Sequence, residues 1–237
     1  MSLWIKICGN TSLEDAQLAC KAGANAVGFV FAASPRQVTP AEVAAITLHL
    51  PAEVEKIGVF VDAPLDSIYS AVRACGLTGV QLHAEAGHEL TKRLHALFGP
   101  ALRILRVVHF SPRAAEQVSE MDEDPHVDAV LVDSRTATAL GGTGIAFDWE
   151  AARESVFQSL KGHRRIAAGG LNPDNVAEAI NMLRPWGVDV ASGVEIVPGR
   201  KDPFKLQEFI RIARLSPLGE QGKKSPSAKG IAAATRQ

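Results

Sequence analysis

A thiol and a carboxylate close two apolar runs in this 237-residue chain. Cys8 ends Trp4-Ile5-Lys6-Ile7-Cys8 and is followed at once by Gly9. Asp133 ends Val127-Asp128-Ala129-Val130-Leu131-Val132-Asp133. If both runs are buried strands finishing at one rim, they supply a base and an acid that move protons on a small molecule without metal or organic cofactor. A thiol acts as a base only once it is thiolate, and its reference pKa is ~8.5. Lys6, on the same strand face as Cys8, favours the thiolate electrostatically. Other readings stand beside these. Cys8 also fits a small buried hydrophobe, the common state of a free cysteine. Asp133 also fits a strand-end turn, and Lys6 also fits a structural partner for a buried carboxylate such as Asp189 on the last strand. A carboxylic acid protonates a substrate oxygen only if burial or the substrate's own negative charge raises its pKa.

Other residues could serve the same rim. Gln81 and His83 alternate inward on the fourth apolar run, although a strand-end histidine is commonly a hydrogen-bonded wall residue. Ala168-Gly169-Gly170-Leu171-Asn172-Pro173 follows the seventh run, and Ala191-Ser192-Gly193-Val194-Glu195 follows the eighth. Glycine lets backbone N–H groups approach an anion closely, and the loops after strands seven and eight of a (β/α)8 barrel often bind phosphate. Arg36, in Ala33-Ser34-Pro35-Arg36-Gln37, has the forked guanidinium that matches a carboxylate. Ser134-Arg135 through Gly141-Gly142-Thr143-Gly144 reads either as a lid over a site or as a surface turn. The seven histidines show no HExxH spacing and no tight acidic cluster, so no metal is expected.

The elements that must position these residues alternate. Strand patterns fit 4–8, 25–31, 55–61, 78–83, 102–109, 127–133, 164–168 and 187–191. Helix patterns fit 12–22, 40–49, 64–75, 87–98, 112–119, 148–160, 173–184 and 202–213. Thr11 and Ser12 precede Glu14-Asp15, while Thr39-Pro40, Asn172-Pro173 and Asp202-Pro203 each set a cap beside a first-turn proline. Repeated strand–helix units imply parallel strands, and eight of them close a single-domain α/β (β/α)8 TIM barrel over residues 1–213. A doubly wound open sheet is the alternative. No GxGxxG follows the first strand, which argues against its dinucleotide-binding form. In the barrel, period-two alternation turns Lys6, Cys8, Gln81, His83, Ala129, Leu131 and Asp133 toward the axis.

Composition narrows the function classes. Hydrophobic residues make up 46% of the chain, enough for one large core, and a net charge of -1 gives no reason to expect nucleic acid or an anionic membrane as partner. Three widely spaced cysteines form no CxxC pair, which argues against a disulfide framework. No signal-like start and no run of ~18 apolar residues is present, so a cytoplasmic protein is expected. Residues 214–237 turn polar, with Gly222-Lys223-Lys224-Ser225-Pro226-Ser227, and are expected to be a disordered tail.

Taken together, these segments resemble the phosphoribosylanthranilate isomerase family of tryptophan biosynthesis. The resemblance runs from Ile5 to about Ile210. It rests on Lys6-Ile7-Cys8-Gly9, Gly28-Phe29-Val30-Phe31, Ser34-Pro35-Arg36, Gly58-Val59-Phe60-Val61 and Val80-Gln81-Leu82-His83. Val132-Asp133-Ser134, Gly141-Gly142-Thr143-Gly144, Phe147-Asp148-Trp149, Ala168 through Pro173 and Val188 through Glu195 continue it. The resemblance implies a cofactor-free barrel, monomer or homodimer, acting on a small-molecule phosphoribosyl substrate by Amadori rearrangement. It implies Asp133 as general acid, Cys8 as base, Arg36 on the anthranilate carboxylate, and Gly169, Gly170, Ser192 and Gly193 on the phosphate. Gln81, His83 and Asp189 match positions that line the family's pocket. Ala84, Ala191 and Thr136-Ala137-Thr138-Ala139 depart from the family pattern. Two rivals remain at this point: a catalytically silent barrel that binds phosphosugars, and an isomerase that also opens the related ribotide of histidine synthesis. In that second family base and acid are typically both aspartates, whereas Cys8 stands at the base position.

Overall fold

The computed structural model describes residues 2–83, 87–109, 117, 118, 121, 123–133, 153, 157 and 162–216. Eight parallel strands close into a barrel: β1 (Trp4–Ile7), β2 (Ala26–Val30), β3 (Glu55–Val61), β4 (Gly79–His83), β5 (Arg103–His109), β6 (Ala129–Asp133), β7 (Arg164–Ala168) and β8 (Gly187–Val190). The ring shuts where β1 pairs with β8, in a register that sets Lys6 beside Asp189. Alternation sorts the side chains as the sequence pattern requires. Trp4, Ala26, Ile57, Leu105, Ala129, Leu131, Ile166 and Ala168 form a core inside the barrel. Ile5, Ile7, Val27, Phe29, Val80 and Leu82 point outward into a second, larger core beneath the helices.

The helices described are α1 (Leu13–Ala22), α2 (Pro40–Thr47), α3 (Leu65–Cys75), α4 (His88–Phe98), α5 (Val176–Leu183) and α6 (Pro203–Leu215). Local chemistry sets several of their ends. Ser12 accepts the Asp15 N–H and so caps α1. Thr39 and Glu42 form a reciprocal capping box on α2, with Pro40 in its first turn. Asp202 accepts the N–H groups of Phe204 and Lys205 at the start of α6. These caps satisfy backbone donors that the first helical turn leaves without partners.

Three differences from the sequence pattern stand out. The helix expected from residue 173 starts at Val176, because the Asn172 side chain accepts the N–H groups of Asp174 and Asn175 and holds the chain in a turn. A short antiparallel hairpin, β9 (Glu195–Val197) with β10 (Arg200–Lys201), occupies what reads as loop after β8. The last helix runs to Leu215, past the expected boundary at 213. The helices expected over 112–119 and 148–160 lie almost wholly outside the described residues. So do Ala84, the Ser134–Gly144 segment, Phe147-Asp148-Trp149 and the tail from 217.

Candidate active site

The carboxyl ends of the strands surround a cavity of about 260 Å³. That is close to the lower end of small-molecule sites. Cys8 reaches it from the end of β1 and Asp133 from the end of β6, so both sequence candidates line one cavity. Arg36, Gln81, His83, Gly169, Gly170, Asp189 and Ser192 line it as well. Gly193 does not; a side chain there would stand 1.8 Å from the Leu171 carbonyl oxygen, so this glycine lets the loops after β7 and β8 pack backbone to backbone.

Two buried charge networks hold the thiol between them. The first begins at Lys6, which is fully buried inside the barrel. Its ammonium donates to Asp189 Oδ1 at 2.9 Å and to Gln81 Oε1 at 2.8 Å. Lysine only donates, so the Gln81 oxygen must face it and the amide nitrogen must face away. That nitrogen stands 2.9 Å from His83 Nε2. The imidazole therefore accepts there, which places the His83 ring proton on Nδ1. The alternative partner proposed for Lys6 from sequence, Asp189, is the one observed.

The second network was not legible in the sequence. Glu195, at the start of β9, grips Arg36 through contacts of 2.9 Å and 3.1 Å to Nε and 2.6 Å to Nη2. The same carboxylate accepts from Lys201 Nζ at 3.0 Å. Lys201 also donates to the Cys8 carbonyl oxygen at 2.5 Å. The hairpin thus delivers an anion to Arg36 and a cation to the backbone of Cys8. The signal was faint: Glu195 and Lys201 sit in a turn-like stretch around Gly199, and their partners lie in the first strand-helix units of the chain.

The electrostatics follow from burial. Desolvation pushes the Cys8 thiol up; Lys6 and Lys201 pull it back, Asp189 adds to the rise, and the result lies above the ordinary value. Burial works against the Lys6 ammonium, but Asp189 and Cys8 outweigh it and hold the group charged. Burial would also raise Glu195, yet Arg36 and Lys201 keep it below the usual carboxylate range. Lys201 is lowered by burial despite Glu195. Burial thus opposes the thiolate, while two ammonium groups are placed to favour it. Asp133 is buried at the end of β6.

Gly28 on β2 is a further site residue that sequence reading used only as part of a motif. A side chain there would lie 2.7 Å from Cys8 Sγ and 3.0 Å from Lys6 Cε. Its missing Cβ is the space that the thiol and the ammonium occupy.

Comparison with known proteins points the same way. The family described as N-(5'phosphoribosyl)anthranilate (PRA) isomerase matches residues 5–212. The N-(5'-phosphoribosyl)anthranilate isomerase of Pelobacter propionicus is 44% identical over 211 residues, covering 89% of this chain and 95% of its own. The crystal structure of phosphoribosyl anthranilate isomerase from Thermotoga maritima superposes with a TM-score of 0.77 at 36% identity, covering 89% of this chain and 98% of that one. A second solved phosphoribosyl anthranilate isomerase, in complex with reduced 1-(o-carboxyphenylamino)-1-deoxyribulose 5-phosphate, matches at 34% identity with a TM-score of 0.74, over 89% of this chain and 98% of its own.

Proposed function

The chain belongs to the PRA isomerase family, and from that premise we propose how its residues divide the reaction. The protein is an isomerase of tryptophan biosynthesis. It converts N-(5-phosphoribosyl)anthranilate to 1-(2-carboxyphenylamino)-1-deoxy-D-ribulose 5-phosphate by an Amadori rearrangement. Asp133 acts as the general acid and protonates the furanose ring oxygen. The C1–O bond breaks as the anthranilate nitrogen lone pair forms a C1=N Schiff base. Cys8 then acts as the base and takes the C2 proton. The C–H electrons form a C1=C2 bond, and the iminium pair returns to nitrogen. The resulting enolamine loses its C2 hydroxyl proton and gains one at C1, giving the ketone.

The observation that carries this division is the shared cavity: a thiol and a carboxyl at the ends of β1 and β6 both line it. The proton count is also consistent. The working pair, thiolate with carboxylic acid, holds one proton in total, and Lys6 and Lys201 both favour the thiolate. Arg36 binds the anthranilate carboxylate through the guanidinium edge that Glu195 does not take, so Glu195 fixes the angle at which the fork is offered. Gly169 and Gly170, both at positive φ (82° and 65°), act with Ser192 as the phosphate cradle, and Gly193 lets the two loops that form it pack together. Gln81, His83 and Asp189 position the wall around the sugar.

Among the described residues no helix is long and apolar enough to cross a membrane. We place the enzyme in the cytoplasm, working as a monomer or homodimer. The test of the residue roles is turnover of Cys8→Ala and Asp133→Asn, followed by loss of anthranilate-type fluorescence. Each should lose at least roughly a hundredfold in kcat, the scale of one acid–base group, while still binding the reduced product analogue. Near wild-type turnover in both would remove the assignment. Loss of analogue binding in both would mean that these side chains hold the ligand rather than move its protons.

A further inference from the structure

Away from the barrel mouth, α4 and the turn before β6 bring two imidazoles beside one carboxylate, with a third next to them. His88 opens α4, and Thr91 and His95 follow three and seven residues later on the same helix face. Asp124 is buried, and its Oδ2 accepts the Thr91 hydroxyl at 2.6 Å. Its Oδ1 accepts the His126 backbone N–H at 2.9 Å and lies 3.2 Å from His88 Nδ1. The His126 ring centroid lies 5.7 Å from that of His88 and 4.7 Å from that of His95. One donor atom from each of His88, Asp124 and His126 falls within 4.8 Å of the others.

We propose that His88, Asp124 and His126 form a binding site for a divalent transition ion of the zinc class, separate from the isomerisation. Two imidazole nitrogens and one carboxylate oxygen are the donor types zinc takes, while magnesium and calcium prefer oxygen throughout. Ligand atoms on a tetrahedral zinc stand roughly 3.3 Å apart, given bonds of ~2.0–2.2 Å. The cluster must therefore draw in slightly, and His88 is free to do so, since 58% of its side chain is exposed. Asp124 is already aimed. The Thr91 hydroxyl and the His126 N–H fix its orientation, as outer partners do for metal-ligating carboxylates.

Charge gives the second reason. Asp124 is buried and takes hydrogen bonds from the Thr91 hydroxyl and the His126 N–H. Among the described residues the only ion-pair partner of this buried anion is His88, whose imidazole brings a charge only when protonated. A divalent ion would supply positive charge there, with water as fourth ligand. It would also tie α4 to the turn that feeds β6. Sequence spacing gives no hint of this, because the β5 unit separates His88 from Asp124 along the chain.

The test is zinc binding to the full chain after stripping with a chelator, read by competition with a chromophoric chelator and by X-ray absorption. The expected result is one zinc per chain, a first shell of nitrogen and oxygen at about 2.0–2.2 Å without sulfur, and a higher melting temperature with zinc but not with magnesium. His88→Ala and His126→Ala should each weaken binding at least tenfold, and Thr91→Val about 10- to 100-fold through the loss of its support to Asp124. His49→Ala, at an exposed histidine elsewhere, should change nothing. Binding that survives both histidine substitutions, a sulfur shell at about 2.3 Å from a cysteine, or no binding below millimolar zinc would each overturn the proposal.

Discussion

Replacing Glu195 by Gln isolates the network that the hairpin β9–β10 brings to the site. The substitution keeps the shape and removes one negative charge. Two cations lose their counter-ion, but not equally. The Arg36 side chain is 19% exposed and turns toward water, whereas that of Lys201 is 0% exposed and has nowhere to go. The cost is therefore carried mainly by one stranded ammonium. Removing one partner of a buried ion pair costs about 3–5 kcal/mol; with Arg36 relieved, about 3 kcal/mol is expected. For a chain of this size that is a fall of roughly 6–12 °C in melting temperature. The pH dependence gives a sharper signature. Glu195 is raised by burial, but Arg36 and Lys201 together hold it below the ordinary 4.5. The folded state thus releases this proton more readily than the unfolded chain. Its contribution is complete above pH 4.5 and is lost as pH falls through the folded value. The gap between wild type and Glu195→Gln should be widest near neutrality and should narrow on acidification. Differential scanning calorimetry from pH 7 downward reads both quantities. In the same variant KM should rise about tenfold as the Arg36 fork loses its fixed angle, with kcat less affected. A melting temperature within about 2 °C of wild type, with a gap that does not change with pH, would refute this account of the network.

Other outcomes follow from the same geometry. Gly28→Ala places a methyl carbon 2.7 Å from Cys8 Sγ and 3.2 Å from Cys8 Cα, so the thiol must move; kcat should drop about a hundredfold, with about 1–3 kcal/mol lost in stability, measured by steady-state assay and urea unfolding. The alkaline limb of kcat/KM reports the last proton leaving the acid–base pair of the free enzyme, and it should lie above the ordinary thiol value because burial raises Cys8. Lys6 pulls the thiol pKa down, so Lys6→Met should shift that limb further up and slow alkylation of Cys8 at neutral pH. The same variant leaves Asp189 buried without its cation and should lower the melting temperature markedly.

Much of the architecture was legible because strand periodicity is a local signal. Lys6 and Cys8 on one face, Ile5 and Ile7 on the other, fixed which side of β1 meets the axis, and the Lys6–Asp189 pair could be named before any coordinates. What escaped was chemistry assembled from distant, weakly patterned stretches. The hairpin after β8 is too short to show alternation, and it breaks register between Arg200 and Lys201. Glu195 could be quoted as part of a motif, but nothing in its neighbours says that its partner is Arg36. Asn172 beside Pro173 looked like a helix start, yet its side chain stabilised a turn first. The imidazole cluster around Asp124 was invisible for the same reason: proximity came from the outer helical layer, which has no strand-like period to betray it.

The central claim is that sulfur and carboxyl flank one sugar. It is tested most directly by the structure of this chain bound to reduced 1-(o-carboxyphenylamino)-1-deoxyribulose 5-phosphate. The account predicts Cys8 Sγ within about 3.5 Å of C2 and an Asp133 oxygen within about 3.2 Å of the oxygen that had closed the furanose ring, on the scale of reacting and hydrogen-bonded atoms. A bound ligand whose C2 is shielded from the sulfur, or whose former ring oxygen faces a residue other than Asp133, would contradict it.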